Sequence, residues 1–144
     1  MVHTHTGEHA DVTYFESGRY LPDALRELDR FLRDFRTGDV KAIDPGVLDI
    51  AARLAGAVGL PLATFHIISG YRSPQTNAAL RARGRGVASR SMHLEARAID
   101  LRIPGFSTAR LRDAALSLGG GGVGYYAGSD FVHVDTGPVR HWAA

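Results

Sequence analysis

Apolar residues at Leu25, Leu28, Leu32 and Phe35 recur every three or four positions with charges between them, which predicts an amphipathic helix over residues 21–36. Gly38 follows as a stop signal. Asp44-Pro45 reads as an N-cap with proline at the first helical position. Behind it, Val47, Leu48, Ala51, Leu54, Ala55 and Val58 give a second helix a wide apolar face, which Gly59 and Pro61 close. Residues 64–69 are short, β-branched and aromatic, the pattern of a buried strand. Gly70-Tyr71-Arg72-Ser73-Pro74 turns the chain, and a short helix follows through Leu80 and Arg81. Residues 82–90 form an Arg/Gly/Ser loop, and alternation over 98–103 predicts another strand, closed by Pro104-Gly105. Ser107 caps a helix to Leu118 with Ala109, Leu111, Ala114, Ala115 and Leu118 apolar. Gly119 to Gly122 is a hard break, and strands over 123–126 and 131–135 form a hairpin through Ala127-Gly128-Ser129-Asp130. Helices come first and antiparallel strands last. The expected fold is α+β, with N-terminal helices packed on a small antiparallel sheet.

The first ten residues are polar, with His3, His5 and His9, and read as a flexible N-terminal segment. Residues 11–144 then form one domain, in keeping with the usual domain size of ~100–150 residues. No basic stretch followed by an apolar one opens the chain, and no run approaches the ~18 apolar residues of a transmembrane helix.

Composition narrows the chemistry. Hydrophobic residues are 44% and charged residues 22%, which excludes a disordered or collagenous chain. Cysteine is absent, so disulfides and thiolate chemistry are excluded, and any metal must rest on His, Asp, Glu or main-chain oxygen. Lys41 is the only lysine among the 17 basic residues. Arg72, Arg81, Arg83, Arg85, Arg90 and Arg97 face a single acid, Glu95, between positions 72 and 97. That local excess suits an anionic partner, since arginine offers carboxylates and phosphates a rigid donor fork. Nucleic acid is the weakest candidate, because Tyr71 is the only aromatic beside the loop.

Three polar residues fall where a strand or its edge should be apolar: His93, Asp100 and His133. Singly, each reads as a hydrogen-bonded core residue. Together they make a three-ligand zinc shell that leaves a position open for water, the catalytic arrangement. Asp135 shares a strand face with His133 and can either hold a ligand histidine or act as the base on the attacking water. Asp130, at the hairpin mouth, is the rival base and equally a turn-forming residue. Arg72 leaves a strand in a tight turn, where it can clamp a carboxylate or stabilise an oxyanion.

These segments resemble one family in order and along nearly the whole chain. They run from His5-Thr6-Gly7-Glu8 through Arg33-Asp34-Phe35-Arg36, Ile43-Asp44-Pro45, Ser69-Gly70-Tyr71-Arg72-Ser73-Pro74, Thr76-Asn77 and Gly86-Val87-Ala88. They continue with Ser91-Met92-His93, Ala98-Ile99-Asp100, Gly121 to Tyr126, Phe131 to Pro138 and Arg140-His141-Trp142. The chain is similar to YcbK-like murein endopeptidases, within the zinc peptidases that include D-Ala-D-Ala carboxypeptidases and the hedgehog signalling domain. One departure is Ala96, where the superfamily usually carries glycine three residues after the first ligand.

The resemblance implies a hedgehog/D-Ala-D-Ala peptidase-like fold and Zn2+ on His93, Asp100 and His133. It implies Arg72 as the arginine that binds substrate or the oxyanion, and leaves the catalytic base between Asp135, the favoured residue, and Asp130. Tyr126, with Tyr125 beside it, is a candidate for lining the substrate cleft. The implied activity is hydrolysis of amide bonds in peptidoglycan stem peptides, most specifically as an LD-endopeptidase on diaminopimelate–diaminopimelate (3-3) cross-links. The protein is then expected in the periplasm or at the cell wall, as a monomer, with no nucleic-acid partner. The alternatives are a DD-carboxypeptidase or DD-endopeptidase of the same superfamily, and an inactive zinc-containing murein-binding module.

Overall fold

Three helix starts form as their capping residues dictate. Asp44 accepts from Gly46 N–H, Ser73 from Thr76 N–H and Ser107 from Arg110 N–H, each satisfying a first-turn amide that has no partner within the helix. The computed structural model describes residues 1–84 and 86–144; Arg85 of the basic loop lies outside the described residues. In chain order the elements are β1 (Val2–His3), β2 (Phe15–Glu16), β3 (Arg19–Tyr20), α1 (Pro22–Phe31), α2 (Pro45–Ala57), β4 (His66–Ser69) and α3 (Pro74–Ala82). A 3₁₀ turn (Met92–Glu95), β5 (Ala98–Arg102), α4 (Thr108–Leu118), β6 (Gly122–Tyr126), β7 (Phe131–Asp135) and β8 (Arg140–Ala143) complete it.

The fold is α+β, but the sheet is mixed rather than antiparallel. Its order is β1-β4-β5-β7-β6-β8, and β2 and β3 form a separate two-stranded ribbon. The centre, from β4 to β6, is antiparallel, whereas β1 joins β4 and β8 joins β6 in parallel. Both parallel strands are short and lack a periodic sequence signal, so only the sheet edges they cover define them. Residues 1–10 depart from the expected flexible segment for the same reason: β1 pairs with β4, His3 and Ala10 are buried, and Met1 N and O both bond to Ala10.

One sheet face carries the core. Ile99 and Leu101 on β5, Val132 and Val134 on β7 and Val123 on β6 pack with Val47, Leu48, Ala51, Leu54, Leu111 and Ala115 of α2 and α4. Alternation sends Asp100 and His133 to the opposite face.

The first helix ends at Phe31, short of residue 36. The turn after β4 ends it: Leu32 O accepts from Tyr71 N–H, and the buried Asp34 carboxylate accepts from Ser73, Arg36 and Thr37 N–H. Gly70 makes this approach possible, since a Cβ there would lie 2.6 Å from Leu32 O.

Candidate metal centre and cavity

β4 contains a bulge. Ile67 pairs with Leu101, but Ser69 rather than Ile68 pairs with Asp100, so Ile68 and Ser69 both reach the open side. From there a row of paired residues crosses the sheet: Ser69, Asp100, His133, Gly124 and Trp142, from β4 to β8. Directly paired residues share a face, so the row forms the floor of a cavity of about 990 Å³. His93 arrives from the 3₁₀ turn, whose Ser91 caps His93 N–H.

Three ligand-type atoms meet on this floor. His93 Nε2 is 3.1 Å from Asp100 Oδ1, His133 Nδ1 is 3.0 Å from the same oxygen, and the two nitrogens are 3.2 Å apart. All three side chains are buried. The outward nitrogens set the tautomers. His93 Nδ1 lies 2.7 Å from Gly70 O, a pure acceptor, so it carries the proton and leaves a lone pair on Nε2. His133 Nε2 lies 2.7 Å from Asp135 Oδ2, which likewise leaves a lone pair on Nδ1. Two imidazole lone pairs and a carboxylate oxygen therefore point at one another. They repel unless a cation joins them, and two nitrogens with one oxygen are a donor set suited to zinc.

Without a metal, a proton relieves this crowding. Burial works to lower the pKa of His133, but hydrogen bonds to Asp100 and Asp135 outweigh it and raise the value to about 9, so a proton on Nδ1 takes the place that a metal ion would fill. Burial dominates at His93 and lowers its pKa. Asp100 and Asp135 stay ionised: burial opposes their charge, but the histidines, and Arg140 beside Asp135, hold both well below the usual carboxylate range.

Two roles are open for Asp135, holding a ligand histidine or acting as the base, and its surroundings bear on both. Its side chain is fully buried and its two oxygens accept five hydrogen bonds. These come from His133 Nε2, Gly122 N–H, Gly137 N–H and the Arg140 fork. Both oxygens are engaged by these bonds, an arrangement suited to holding His133. Asp130, the rival base, has φ +57° at the hairpin turn, its carboxylate accepts from Thr108 Oγ1, and it is not among the residues lining the cavity. Among the described residues, Asp100 is the only acid lining the cavity.

The walls are cationic. Arg36, Arg72, Arg90, Arg102 and Arg140 line the cavity with His5. Arg72 Nη1 donates to Asn77 Oδ1, and its buried Nε has no partner among the described residues. Arg72 N–H donates to His93 O, which ties this arginine to the ligand turn, and Asn77 Nδ2 donates to Ala88 O of the Arg/Gly/Ser loop. Of the two tyrosines, Tyr126 lines the cavity and Tyr125 lies on the other face against Arg112.

Sequence reasoning missed Trp142, Arg140 and His5. Gly122-Val123-Gly124 held the signal: a glycine at every second strand position clears one face. A Cβ at Gly122 would lie 2.3 Å from Arg140 Nη1, and one at Gly124 would lie 2.6 Å from the Trp142 indole. Ala96 is fully buried with φ +55°, a left-handed conformation that explains why glycine suits this turn.

Comparison with known proteins places the chain in a family. A family model described as peptidoglycan L,D-endopeptidase MepK, of the M15 peptidases, matches residues 1–142. The peptidoglycan L,D-endopeptidase MepK of Escherichia coli K12 is 48% identical over 138 residues, covering 96% of this chain and 75% of that protein. The probable peptidoglycan L,D-endopeptidase MepK of Haemophilus influenzae is 42% identical over 137 residues, covering 95% and 74%. With a match of this extent around a buried His-Asp-His cluster, the chain belongs to the MepK family of M15 peptidases, the peptidoglycan L,D-endopeptidases.

Proposed function

We propose that this protein is a zinc-dependent LD-endopeptidase that hydrolyses the amide bond of 3-3 cross-links between peptidoglycan stem peptides. The observation that carries the metal assignment is the convergence of His93 Nε2, Asp100 Oδ1 and His133 Nδ1, with both histidines protonated on their outer nitrogens. These three residues would hold the zinc. When bound, zinc supplies Lewis acidity, polarising a carbonyl and making water acidic enough to attack at about pH 7.

The remaining roles belong to the protein. Asp135 is a positioning residue that fixes the His133 tautomer through its Oδ2, in place of the base first expected. Arg72 binds the substrate or the developing oxyanion from the cavity wall, where Asn77 Oδ1 holds its Nη1. Tyr126 contributes a substrate-facing wall. Five arginines against one cavity acid create a field that attracts the carboxylates of stem peptides. We infer that the protein acts as a monomer. We place residues 1–10 with the rest of the chain in one peptidase domain of hedgehog/D-Ala-D-Ala peptidase-like arrangement. It acts where peptidoglycan is found, in the periplasm or at the cell wall.

The test is digestion of sacculi containing both 3-3 and D-alanine-linked 4-3 cross-links, with and without chelator. The expected result is chelator-sensitive loss of the 3-3 dimers with 4-3 dimers intact. Loss of the 4-3 dimers would assign DD specificity instead. Intact sacculi with zinc still bound would leave a binding module.

A further inference from the structure

On β6, Gly122, Gly124 and Tyr126 share the cavity face, and Tyr126 pairs with Phe131 at the hairpin end. The phenol is fixed on two sides. Its ring stacks on Phe131 with centroids 4.6 Å apart and planes 15° from parallel. Its oxygen accepts Trp142 Nε1–H at 3.0 Å. An indole N–H only donates, so this bond fills a lone pair of the phenol oxygen and leaves the phenol proton to be donated elsewhere. That proton has no acceptor among the described residues, and Tyr126 lines the same cavity as His93, Asp100 and His133.

Trp142 is itself held. Its indole occupies the space that Gly124 leaves open and lies against the His133 ring, with centroids 5.0 Å apart. The Arg140 guanidinium covers the indole at 5.1 Å while donating to Asp135. One run of contacts thus links the histidine, the indole and the phenol, so that an oriented O–H and the proposed ligands share one rigid frame.

We propose that Tyr126 is a catalytic residue of the peptidase reaction. Its O–H donates to the carbonyl oxygen of the scissile amide as negative charge builds there. Trp142 is the positioning residue that aims it. No proton changes hands in this contact: the hydrogen bond strengthens as the carbonyl becomes a tetrahedral oxyanion and relaxes when the amine leaves. The inference rests on the peptidase reading above and adds to it a second oxyanion donor beside Arg72. Preset donors matter because they need no reorganisation when charge develops, and removal of one costs about 10²–10³ in kcat.

The test uses the zinc-loaded full chain, a purified 3-3 cross-linked dimer as substrate and a phosphinate analogue of the scissile amide as a tetrahedral probe. Tyr126→Phe keeps the ring and its stacking. Its kcat should fall about 100-fold, with KM, zinc content and Tm unchanged and phosphinate affinity reduced in parallel. Trp142→Phe, which keeps a ring near His133 but loses the N–H, should lower kcat in the same direction at unchanged zinc content. Tyr125→Phe, on the opposite face, is the control and should keep wild-type kinetics. A Tyr126→Phe enzyme with kcat within about threefold of wild type overturns the proposal, and so does a loss confined to KM, or one that follows zinc content. If the wild-type protein leaves the dimer uncut, the peptidase reading fails, a result distinct from full activity in Tyr126→Phe.

Discussion

Asp135→Asn separates two roles that the sequence alone leaves open. In the structure, Asp135 Oδ1 accepts from Gly122 and Gly137 N–H, and an asparagine carbonyl can keep both bonds. The amide nitrogen then takes the place of Oδ2, facing His133 Nε2 and Arg140 Nη2. A donor there inverts the histidine: Nε2 must accept, so Nδ1 takes the proton and turns an N–H toward the metal position. Loss of such a supporting contact usually weakens metal binding about 10–100-fold, or about 1.4–2.7 kcal/mol. The wrong tautomer puts this variant at the upper end of that range. Loss of the charged hydrogen bonds should also cost the metal-free protein about 2 kcal/mol of stability, tempered by the partial exposure of Arg140. The assay is zinc competition against a chromophoric chelator, paired with urea unfolding of the metal-free protein. If Asp135 were instead the base, Asp135→Asn would keep wild-type zinc affinity while kcat collapsed. That outcome would refute the positioning argument.

Two further expectations follow from the same geometry. His3 is fully buried, and burial, reinforced by His5 and Arg33 against Glu8, lowers its pKa to about 4. The unfolded chain then binds the proton first, so stability is full above the unfolded value near 6.5 and is lost as pH falls from there towards about 4. At about 1.4 kcal/mol per unit the loss is capped at roughly 3 kcal/mol. His3→Phe should flatten that part of the stability profile, and an unaltered slope in urea melts would count against the burial argument. Gly124→Ala puts a Cβ 2.6 Å from the Trp142 indole. Displacing the ring should cost about 1–3 kcal/mol and lower kcat by freeing Tyr126, and a variant with wild-type Tm and kcat would show that the indole has room to move.

The sequence determined the local parts. Capping residues and periodicity set α2, α3 and α4, since those signals act within one or two turns. Alternation in β5 and β7 marked Asp100 and His133 as polar residues out of place among apolar ones, and the His93 turn lay beside them. The same local signals failed where distant backbone decided the outcome. α1 stops early because Tyr71 and Ser73 take over the hydrogen bonding of Leu32 and Asp34. β1 and β8 exist only because β4 and β6 offer open edges to pair with.

The division at the site has the same cause. Residue type and position along the chain marked His93, Asp100, His133 and Arg72, and the family resemblance added Tyr126 with Tyr125. Parity could not say whether Asp135 faces the cavity or holds His133, because that depends on Gly122, Gly137 and Arg140 closing around its carboxylate. Nor could it bring Trp142 over Gly124, a contact made only when β8 completes the sheet. The sequence therefore carried the chemistry, while the tertiary structure assigned each group its direction. Hydrogen-bond partners distant along the chain, and the space left by missing side chains, determine which lone pairs and protons face the substrate.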